Sequence, residues 1–343
     1  MVHNGYEFIS EFLLHHLNIC DHIYIVDHNS ERDLRNLTID RVTVVRSNHI
    51  AQFQSETINA AIEHFKFKNI YDWLFVLNID EYLPFTKKQK FHEFLGTHIG
   101  DYVVQMYWTN GVPFHENEDE VPQSLIDCKS IRFFDRNGIN FKSFINIRKT
   151  KGDFVVPAGA HDIVIKSQFG KFGKRYEPGK TNITLFHIPA LSKSQFVEKI
   201  KNYVYQIELR SHVRGMAGKE VKDYPDNFLN QNCWLWYIAN FRVRNPEQFC
   251  EVKPEDFREK MIFSHLDRNE VKALRKQIKA SPLCQTTIAT KEELEYRKYK
   301  SDERQILNNI KWFRIDQNNQ IVNVQRRLRI TALLSDVCAK GTT

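Results

Sequence analysis

The chain has 343 residues, of which 42% are hydrophobic and 27% are charged, and its mean hydropathy is −0.49. This composition predicts a globular protein with a substantial core, and the low counts of glycine (13) and proline (10) exclude a collagen-like or low-complexity chain. The longest apolar runs, such as residues 73–77, are far shorter than the roughly 20 residues that a membrane-spanning helix needs.

The formal net charge of +7 and the pI near 8.9 favour an anionic partner, such as a nucleotide, a phosphorylated glycolipid or a membrane surface. The basic run at residues 326–329 is more typical of a solvated helix face. No nucleic-acid-binding motif is found, so nucleic acid is not expected as a partner. The six cysteines form no C-x-x-C pair and the N-terminus resembles no secretion signal, which predicts a cytoplasmic protein. Any association with an anionic inner membrane face is expected to be peripheral.

Strand and helix patterns alternate through the first part of the chain. Residues 6–17 carry apolar side chains at helical spacing, and residues 22–26 form an apolar run that ends in the polar turn 27–30. A short strand at 42–45, a helix at 52–65 and a strand at 73–77 follow. This order predicts an α/β fold with a mixed, mainly parallel sheet flanked by helices.

Later segments divide into further strands and then mainly helices. Strands are predicted at 102–107, 131–134 and 144–147, and a mobile loop at 212–225. Helices are predicted from Ser192 onward and at 227–241, 254–263, 268–280 and 291–313. We therefore expect two regions: residues 1–190 as an α/β domain, and residues 191–343 as a largely helical region.

The polar cluster after the strand at 73–77 carries the clearest chemical signal. Asn78, Asp80 and Glu81 follow this apolar run, and Asp27 follows the strand at 22–26. Ligands of open α/β sheets bind beyond the carboxyl ends of the strands, where these side chains are expected to meet. Carboxylates at that edge suit a hard divalent cation that also binds phosphate oxygens. A solvated acidic turn is the simpler alternative for this segment alone.

Four ordered motifs resemble the family-2-like and family-92-like glycosyltransferases, which have a GT-A fold. The first match lies at the start: the group's N-E-x-x-Y-I-x-E-W-x-x-H-like pattern falls on Asn4, Phe8, Ile9, Glu11 and Phe12, with His16 one residue beyond the pattern's histidine. It is followed by an I-Y-I-x-D-x-x-S strand on residues 23–30. The second match is the W-x-x-x-x-D-x-D-E-F-L pattern on residues 73–83. The third is a Y-K-S element at 141–143, and the fourth is an H-Y-x-x-K-S-x-x-x-F-x-x-K element at 187–199. Together these matches cover roughly the first 200 residues. The resemblance implies that residues 1–190 are the nucleotide-sugar-binding and catalytic domain and that residues 191–343 complete the acceptor side.

Three positions depart from the group's pattern. Gly5 stands where the opening glutamate is expected, and Asn78 replaces the first aspartate of the D-x-D motif. Only Met1, Val2 and His3 precede Asn4, so a short or truncated first strand is expected. Asn78 can still accept a hydrogen bond from a ribose hydroxyl, but it cannot supply a second carboxylate to a metal ion.

The resemblance implies a nucleotide-diphosphate sugar as donor and Mn²⁺ or Mg²⁺ as cofactor. Asp80 is the expected metal ligand, and His187 matches a later histidine that contacts the metal in the resembled enzymes. His187 could equally be a structural histidine that ends a strand beside Pro189. Asp27 and Asn78 are expected to contact the nucleotide.

Two lysines and several carboxylates are further candidates. Lys142 and Lys193 are predicted to contact phosphate, although most lysines only solvate a surface. An inverting transfer needs a general base, for which Asp162 is our first choice, and Glu81 is expected to orient its neighbours or bind the donor sugar. Four other carboxylates compete as the base, in a run more typical of a solvated loop: Glu116, Glu118, Asp119 and Glu120.

These features favour a metal-dependent, inverting glycosyltransferase that transfers a sugar to a hydroxyl of a glycan or glycolipid. We expect a role in the synthesis of a bacterial surface polysaccharide or lipopolysaccharide. Two alternatives stay open at this level. A metal-dependent phosphoesterase would use similar acidic ligands, and a nucleotide-sugar-binding protein without catalytic activity would be consistent with Gly5 and Asn78.

Overall fold

The computed structural model is an α/β protein with mixed sheets and few helices among its described residues. The structure describes residues 1–48, 54–114, 125–128, 130–134, 141–168, 174–191, 195, 257–260, 263–284 and 313–323. Its helices are α1 (Tyr6–Leu17), α2 (Gln54–His64), α3 (Lys88–Thr97), α4 (Ile147–Thr150) and α5 (Arg268–Ala280). Its first seven strands are β1 (Ile23–His28), β2 (Val42–Ser47), β3 (Trp73–Phe75), β4 (Glu81–Tyr82), β5 (Val103–Phe114), β6 (Ser130–Phe134) and β7 (Phe141–Asn146). The remaining strands are β8 (Phe154–Val155), β9 (Val164–Ile165), β10 (Pro178–Lys180), β11 (Leu185–His187), β12 (Phe257–Lys260), β13 (Phe313–Ile315) and β14 (Gln320–Asn323).

Two larger sheets carry the fold. The first has the order β1-β2-β14-β13, in which β1, β2 and β14 are parallel and β13 is antiparallel to β14. The second follows the path β12-β6-β5-β11-β4, and β7 links β5 to β3. Most described pairings in the second sheet are antiparallel, so the predicted mainly parallel sheet is wrong for this part. The reason is that the long strand β5 pairs antiparallel with both β6 and β7, which follow it in the chain.

Helices cover both faces of the first sheet. On one face, Ile25 and Val44 pack in a cluster with Ile9 and Leu13 of α1. On the other face, Val26 packs in a cluster that includes residues of α2 and β13. Successive side chains of a strand point to opposite faces, so the continuous apolar run of β1 serves two helical layers.

Most of the predicted elements that lie in the described residues are confirmed. The helices at 6–17 and 268–280 have the predicted bounds, and the strands at 23–28 and 42–47 match closely. Strand β3 (Trp73–Phe75) is shorter than the predicted strand at 73–77. Strand β5 (Val103–Phe114) is longer than the predicted strand at 102–107. Other predictions lie outside the described residues, including the helix at 227–241, the loop at 212–225 and the basic run at 326–329.

Two predictions for the second half of the chain are wrong. Residues within the predicted helix 254–263 form β12, because they pair antiparallel with β6. Phe313, predicted as the last residue of a helix, begins β13 and is buried. The described strands of residues 191–343 join the two sheets of the first half, and α5 packs against α1. Pairing with distant strands therefore overrides the local helical spacing in these segments.

A partly open cavity of about 470 Å³ is lined by residues of β1, β3, α1 and α2. No helix of the described residues is long and apolar enough to cross a membrane.

Candidate functional site

Three adjacent strands bring Glu81, His187 and Asn110 into one row. β11 is antiparallel to β4, which places His187 opposite Glu81. β11 is also parallel to β5, which places His187 opposite Asn110. All three side chains are buried. The sheet thus joins residues that lie far apart in the sequence and fixes their relative positions through backbone hydrogen bonds.

The imidazole ring of His187 is held on two sides. Its Nδ1 lies 2.7 Å from Oδ1 of Asn110, and its ring stacks on Trp108 with 4.1 Å between ring centroids. An N–H at Nδ1 that donates to this amide oxygen leaves Nε2 with a lone pair. Nε2 is the nitrogen that faces Asp80. A hydrogen bond of this kind at the remote nitrogen is typical of metal-binding histidines.

Asp80 lies against His187 at the end of the polar cluster. Its Oδ2 is 3.5 Å from Nε2 of His187, and its side chain is 8% exposed. Its main-chain carbonyl accepts a hydrogen bond of 2.8 Å from the N–H of Ile188, which ties the turn to the end of β11. Two adjacent ligands, each about 2.1 Å from an octahedral cation, are about 3.0 Å apart. The observed spacing is therefore close to what one cation needs.

The described residues offer two protein ligands at this point rather than a complete coordination shell. Among them, no group of three or more His, Cys, Asp and Glu side chains is placed to hold a metal ion. Mg²⁺ and similar cations often bind through one or two protein ligands, with substrate phosphate and water completing the shell. The donor set of Asp80 and His187 fits that kind of site.

Glu81 and Lys142 form a fully buried ion pair beside the Asp80–His187 pair. The Nζ of Lys142 lies 3.3 Å from Oε1 of Glu81. Oε2 of Glu81 accepts a hydrogen bond of 2.7 Å from the main-chain N–H of Asn78. Burial raises the pKa of the Glu81 carboxyl, and the charge of Lys142 opposes that shift. A direct phosphate contact by Lys142, as predicted from the sequence, would require this pair to separate.

Asn78 lies at the partly exposed side of the cluster. Its Nδ2 donates to Glu81 at 3.3 Å, and its Oδ1 accepts from Nε2 of Gln54 at 3.5 Å. Gln54 begins α2, so this contact connects the polar cluster to the helix layer. The predicted nucleotide contact of Asn78 stays a prediction.

Asp27 occupies a buried position in which its carboxylate is already paired. Oδ2 lies 2.6 Å from Nη1 of Arg46 on β2, and Oδ1 accepts from the N–H of Ser30 at 3.2 Å. Nη2 of Arg46 donates to the carbonyl of Ser30 at 2.7 Å, so the pair holds the turn after β1. Burial raises the pKa of Asp27. This geometry assigns Asp27 to the structure of the turn, and a nucleotide contact would need its pairing to change.

The loop at residues 157–162 lies against β7 and carries the predicted base. Lys142 donates to the carbonyl of Gly159 at 2.7 Å, and Ser143 donates to the carbonyl of His161. Asp162 is ion-paired with Arg175, and its side chain is 33% exposed. Asp162 is therefore held toward Arg175, and its role as the general base stays a prediction.

His161, the neighbour of Asp162, packs closer to the site. Its ring centroid is 5.8 Å from that of Trp108, the residue that also stacks on His187. Its Nδ1 lies 2.6 Å from the carbonyl oxygen of Phe141, and partial burial lowers the pKa of the imidazole. Gly159 has a φ of 84°, and a Cβ there would meet the His161 ring at 2.6 Å, so only glycine fits this loop.

Sequence reasoning missed the roles of Asn110, Trp108 and His161. Residues 108–111 lie inside β5. Gly111 is required because a Cβ would lie 2.5 Å from the ring of Phe133. No local pattern marks Asn110 as a partner of His187. Lys193 and the four carboxylates at 116–120 lie outside the described residues.

Comparison of the sequence with protein-family models gives no match, and comparison with curated proteins gives none either. The functional argument therefore rests on the geometry of the site.

Proposed function

We propose that this protein is a metal-dependent glycosyltransferase of the GT-A type. It would transfer a sugar from a nucleotide-diphosphate sugar to a hydroxyl of a glycan or glycolipid, with Mn²⁺ or Mg²⁺ as cofactor. The motif order in the first 200 residues and the α/β fold with its polar strand ends are consistent with this proposal. A role in bacterial surface polysaccharide or lipopolysaccharide synthesis is part of the same proposal.

The observation that carries the proposal is the contact between Asp80 and His187. With its Nδ1–H donated to Asn110, His187 directs a lone pair at the carboxylate of Asp80 across 3.5 Å. Two electron-rich atoms at this distance repel each other unless a proton or a cation lies between them. A bound divalent cation would supply positive charge to oppose the charge that develops on a departing diphosphate.

The charges around this contact also support a cation site. Asp80 and Glu81 are two adjacent buried carboxylates, and Lys142 pairs with Glu81. A buried carboxylate is stabilised by a cation, so two adjacent buried carboxylates support a metal ion here over a second anion.

For the general base we favour His161 over Asp162. The lowered pKa of His161 keeps its imidazole neutral at pH 7, and its Nδ1 faces the carbonyl of Phe141, which leaves Nε2 to accept a proton. Asp162 is engaged by Arg175. The buried ring of Trp108 lies against both His161 and His187 and so connects the two imidazoles.

The phosphoesterase alternative is less favoured. A two-metal phosphoesterase needs more ligands than the pair of Asp80 and His187, and no third ligand joins them among the described residues. If the protein binds nucleotide sugars without catalytic activity, donor binding without turnover is expected. The following experiment distinguishes this outcome from glycosyltransferase and phosphoesterase activity.

The test is donor turnover by the purified protein. The protein is incubated with Mn²⁺ and a panel of nucleotide-diphosphate sugars, with and without glycan and glycolipid acceptors, and nucleoside diphosphate and free phosphate are measured. We expect metal-dependent release of nucleoside diphosphate that chelation abolishes. Release of inorganic phosphate would favour the phosphoesterase, and donor binding without any turnover across a broad acceptor set would contradict the proposed activity.

A further inference from the structure

Five residues form a closed ring of polar contacts beside the proposed metal site. Oε1 of Gln54 accepts a hydrogen bond of 2.9 Å from the N–H of Gly159, and Nε2 of Gln54 lies 3.5 Å from Oδ1 of Asn78. Asn78 contacts Glu81 through its main-chain N–H and its Nδ2. Glu81 pairs with Lys142, whose Nζ donates to the carbonyl of Gly159 at 2.7 Å and so closes the ring. This polar ring joins the turn after β3 to the loop that carries the proposed base.

Both backbone groups of Gly159 are held by the polar ring. The N–H bonds to Gln54 and the carbonyl to Lys142, so the peptide units on either side of Gly159 have fixed orientations. The next residue, Ala160, is fully buried and has a φ of 51°. Outside glycine, such a conformation costs about 1–3 kcal/mol and persists only where surrounding contacts hold it. The polar ring supplies such contacts immediately before Ala160.

The imidazole of His161 lies directly against Gly159. A Cβ at Gly159 would lie 2.6 Å from Cδ2 and 2.8 Å from Nε2 of His161, so the imidazole occupies the space beside the Gly159 Cα. Nε2 is the nitrogen that we propose as the proton acceptor. A rotation of Gly159 would move the surface on which this imidazole rests, and the position of Nε2 therefore depends on the contacts of Gly159.

Helix α2 also holds the start of this loop through contacts outside the polar ring. Oδ1 of Asn59 accepts from the N–H of Val156 at 3.0 Å, and its Nδ2 donates to the carbonyl of Val156 at 2.8 Å. Oγ of Ser55 donates to the same carbonyl at 2.6 Å. Gln54 and Ser55 are thus adjacent, buried residues that bond to the same loop at different places. This arrangement provides a matched pair of positions for substitution.

We propose that Gln54 is a positioning residue for the transfer reaction, which acts through Gly159 to place the imidazole of His161. This inference rests on the proposed function. In that reaction, Nε2 of His161 takes the proton of the acceptor hydroxyl while the hydroxyl oxygen bonds to the anomeric carbon of the donor. The bond from that carbon to the diphosphate breaks, and its electron pair leaves on the diphosphate oxygen. A displacement of about 1 Å at a catalytic group can lower the rate about 100-fold.

The first experiment compares substitutions in α2 without an activity assay. Gln54→Met removes the amide from the polar ring at a similar side-chain volume, whereas Ser55→Ala removes a buried hydrogen bond to the same loop outside that ring. We expect the imidazole signals of His161 in ¹H–¹³C NMR spectra, assigned with His161→Gln, to shift or broaden in Gln54→Met and to match the wild type in Ser55→Ala. Unchanged signals in Gln54→Met, or equal changes in both variants, would overturn the proposal.

Two further variants support this comparison. Gln54→Glu keeps an acceptor for the N–H of Gly159 and should restore most of the wild-type imidazole signals of His161. A Gln54→Glu spectrum like that of Gln54→Met would overturn the role of the Gly159 contact. Gln54→Asn, whose shorter side chain withdraws the amide from Gly159, replaces Gln54→Met if the latter does not fold.

The second experiment measures donor turnover by the same variants. Gln54→Met should lower kcat by about 10- to 100-fold, with the donor KM and the Kd for Mn²⁺ close to the wild-type values. Ser55→Ala should leave kcat close to wild type. A loss of metal affinity, or a rise in KM without a fall in kcat, would assign Gln54 to binding and overturn the proposal. If the wild type turns over no donor, the proposed function fails, and the NMR comparison still decides whether Gln54 places His161.

Discussion

Oδ2 of Asp80 lies 3.5 Å from Nε2 of His187, across the boundary between two segments that are remote in the sequence. The contact exists because β11 pairs with β4 and because the carbonyl of Asp80 accepts the N–H of Ile188. It places a carboxylate and an imidazole at a fixed spacing, which is the basis of the metal site that we propose.

Removal of the carboxylate charge at Asp80 tests the metal site directly. Asp80→Asn should reduce Mn²⁺ affinity and metal-dependent donor turnover by at least about 100-fold, because the main anionic ligand is lost. Calorimetric titration with Mn²⁺ and release of nucleoside diphosphate measure the two effects. Asp21→Asn is the matched control, because Asp21 is an exposed carboxylate paired with Lys88. Wild-type metal binding by Asp80→Asn would remove Asp80 from the site.

Asn110 should control the orientation and tautomer of His187. Asn110→Leu removes the acceptor of the His187 Nδ1 proton, and we expect metal affinity to fall by about 10- to 100-fold. The thermal midpoint should change much less than the metal affinity. Nitrogen NMR shifts of His187 report the tautomer in both proteins. An unchanged tautomer with unchanged metal affinity would contradict the assigned role of Asn110.

The buried pair of Glu81 and Lys142 should show strong coupling in a double-mutant cycle. Lys142→Met leaves the Glu81 carboxylate buried without its cation, and the free energy of unfolding should fall by about 3–5 kcal/mol. Glu81→Gln should also destabilise the fold, and the double variant should recover much of the loss. Urea denaturation measures all four proteins. Additive effects of the two changes would show that the pair is not coupled.

His161 and Asp162 can be separated as general bases by paired substitutions. His161→Gln should lower kcat by about 100-fold or more with little change in metal affinity, whereas Asp162→Asn should have a smaller effect. In the wild type, turnover should decline as pH falls below the ordinary histidine value of 6.5, through the lowered pKa of His161. A greater loss in Asp162→Asn, with that pH limb retained in His161→Gln, would restore Asp162 as the base.

His15 should make stability depend on pH below neutrality. Burial lowers its pKa from 6.5 to about 4, while its Nε2 contacts the carbonyl of Leu83 at 2.7 Å and its Nδ1 contacts His265 at 3.2 Å. Between these pH values the unfolded chain binds a proton that the folded protein does not. Stability is therefore full above pH 6.5 and falls as pH decreases toward 4, by roughly 3 kcal/mol from this residue.

Urea denaturation at pH 7.5 and pH 5 measures this dependence. His15→Gln should reduce the difference between the two pH values, because the titrating group is gone. His92→Gln is the matched control, since His92 is exposed on α3. The buried neighbour His16, whose pKa also lies well below 6.5, should retain part of the effect in His15→Gln. The same pH difference in His15→Gln as in the wild type would contradict the assignment.

The sequence by itself determined the elements whose patterns are local. The apolar stripe of α1, the buried run of β1 and the cap of α5 by Asp267 depend on neighbouring residues. The same applies to the apolar run that ends in Asn78 to Glu81, which supplies Asp80 to the proposed site. Local spacing failed at β12 and β13, because pairing with distant strands decides the conformation of those short segments.

Only the tertiary structure decided which distant polar groups meet. Sequence order does not show that Arg46 neutralises Asp27, that Lys142 neutralises Glu81, or that Asn110 orients His187. Each pairing depends on strand register, and a shift of one residue would turn the side chain to the opposite face of the sheet. Residue type therefore predicted which side chains could act as ligands, and the sheet determined which of them are placed to do so.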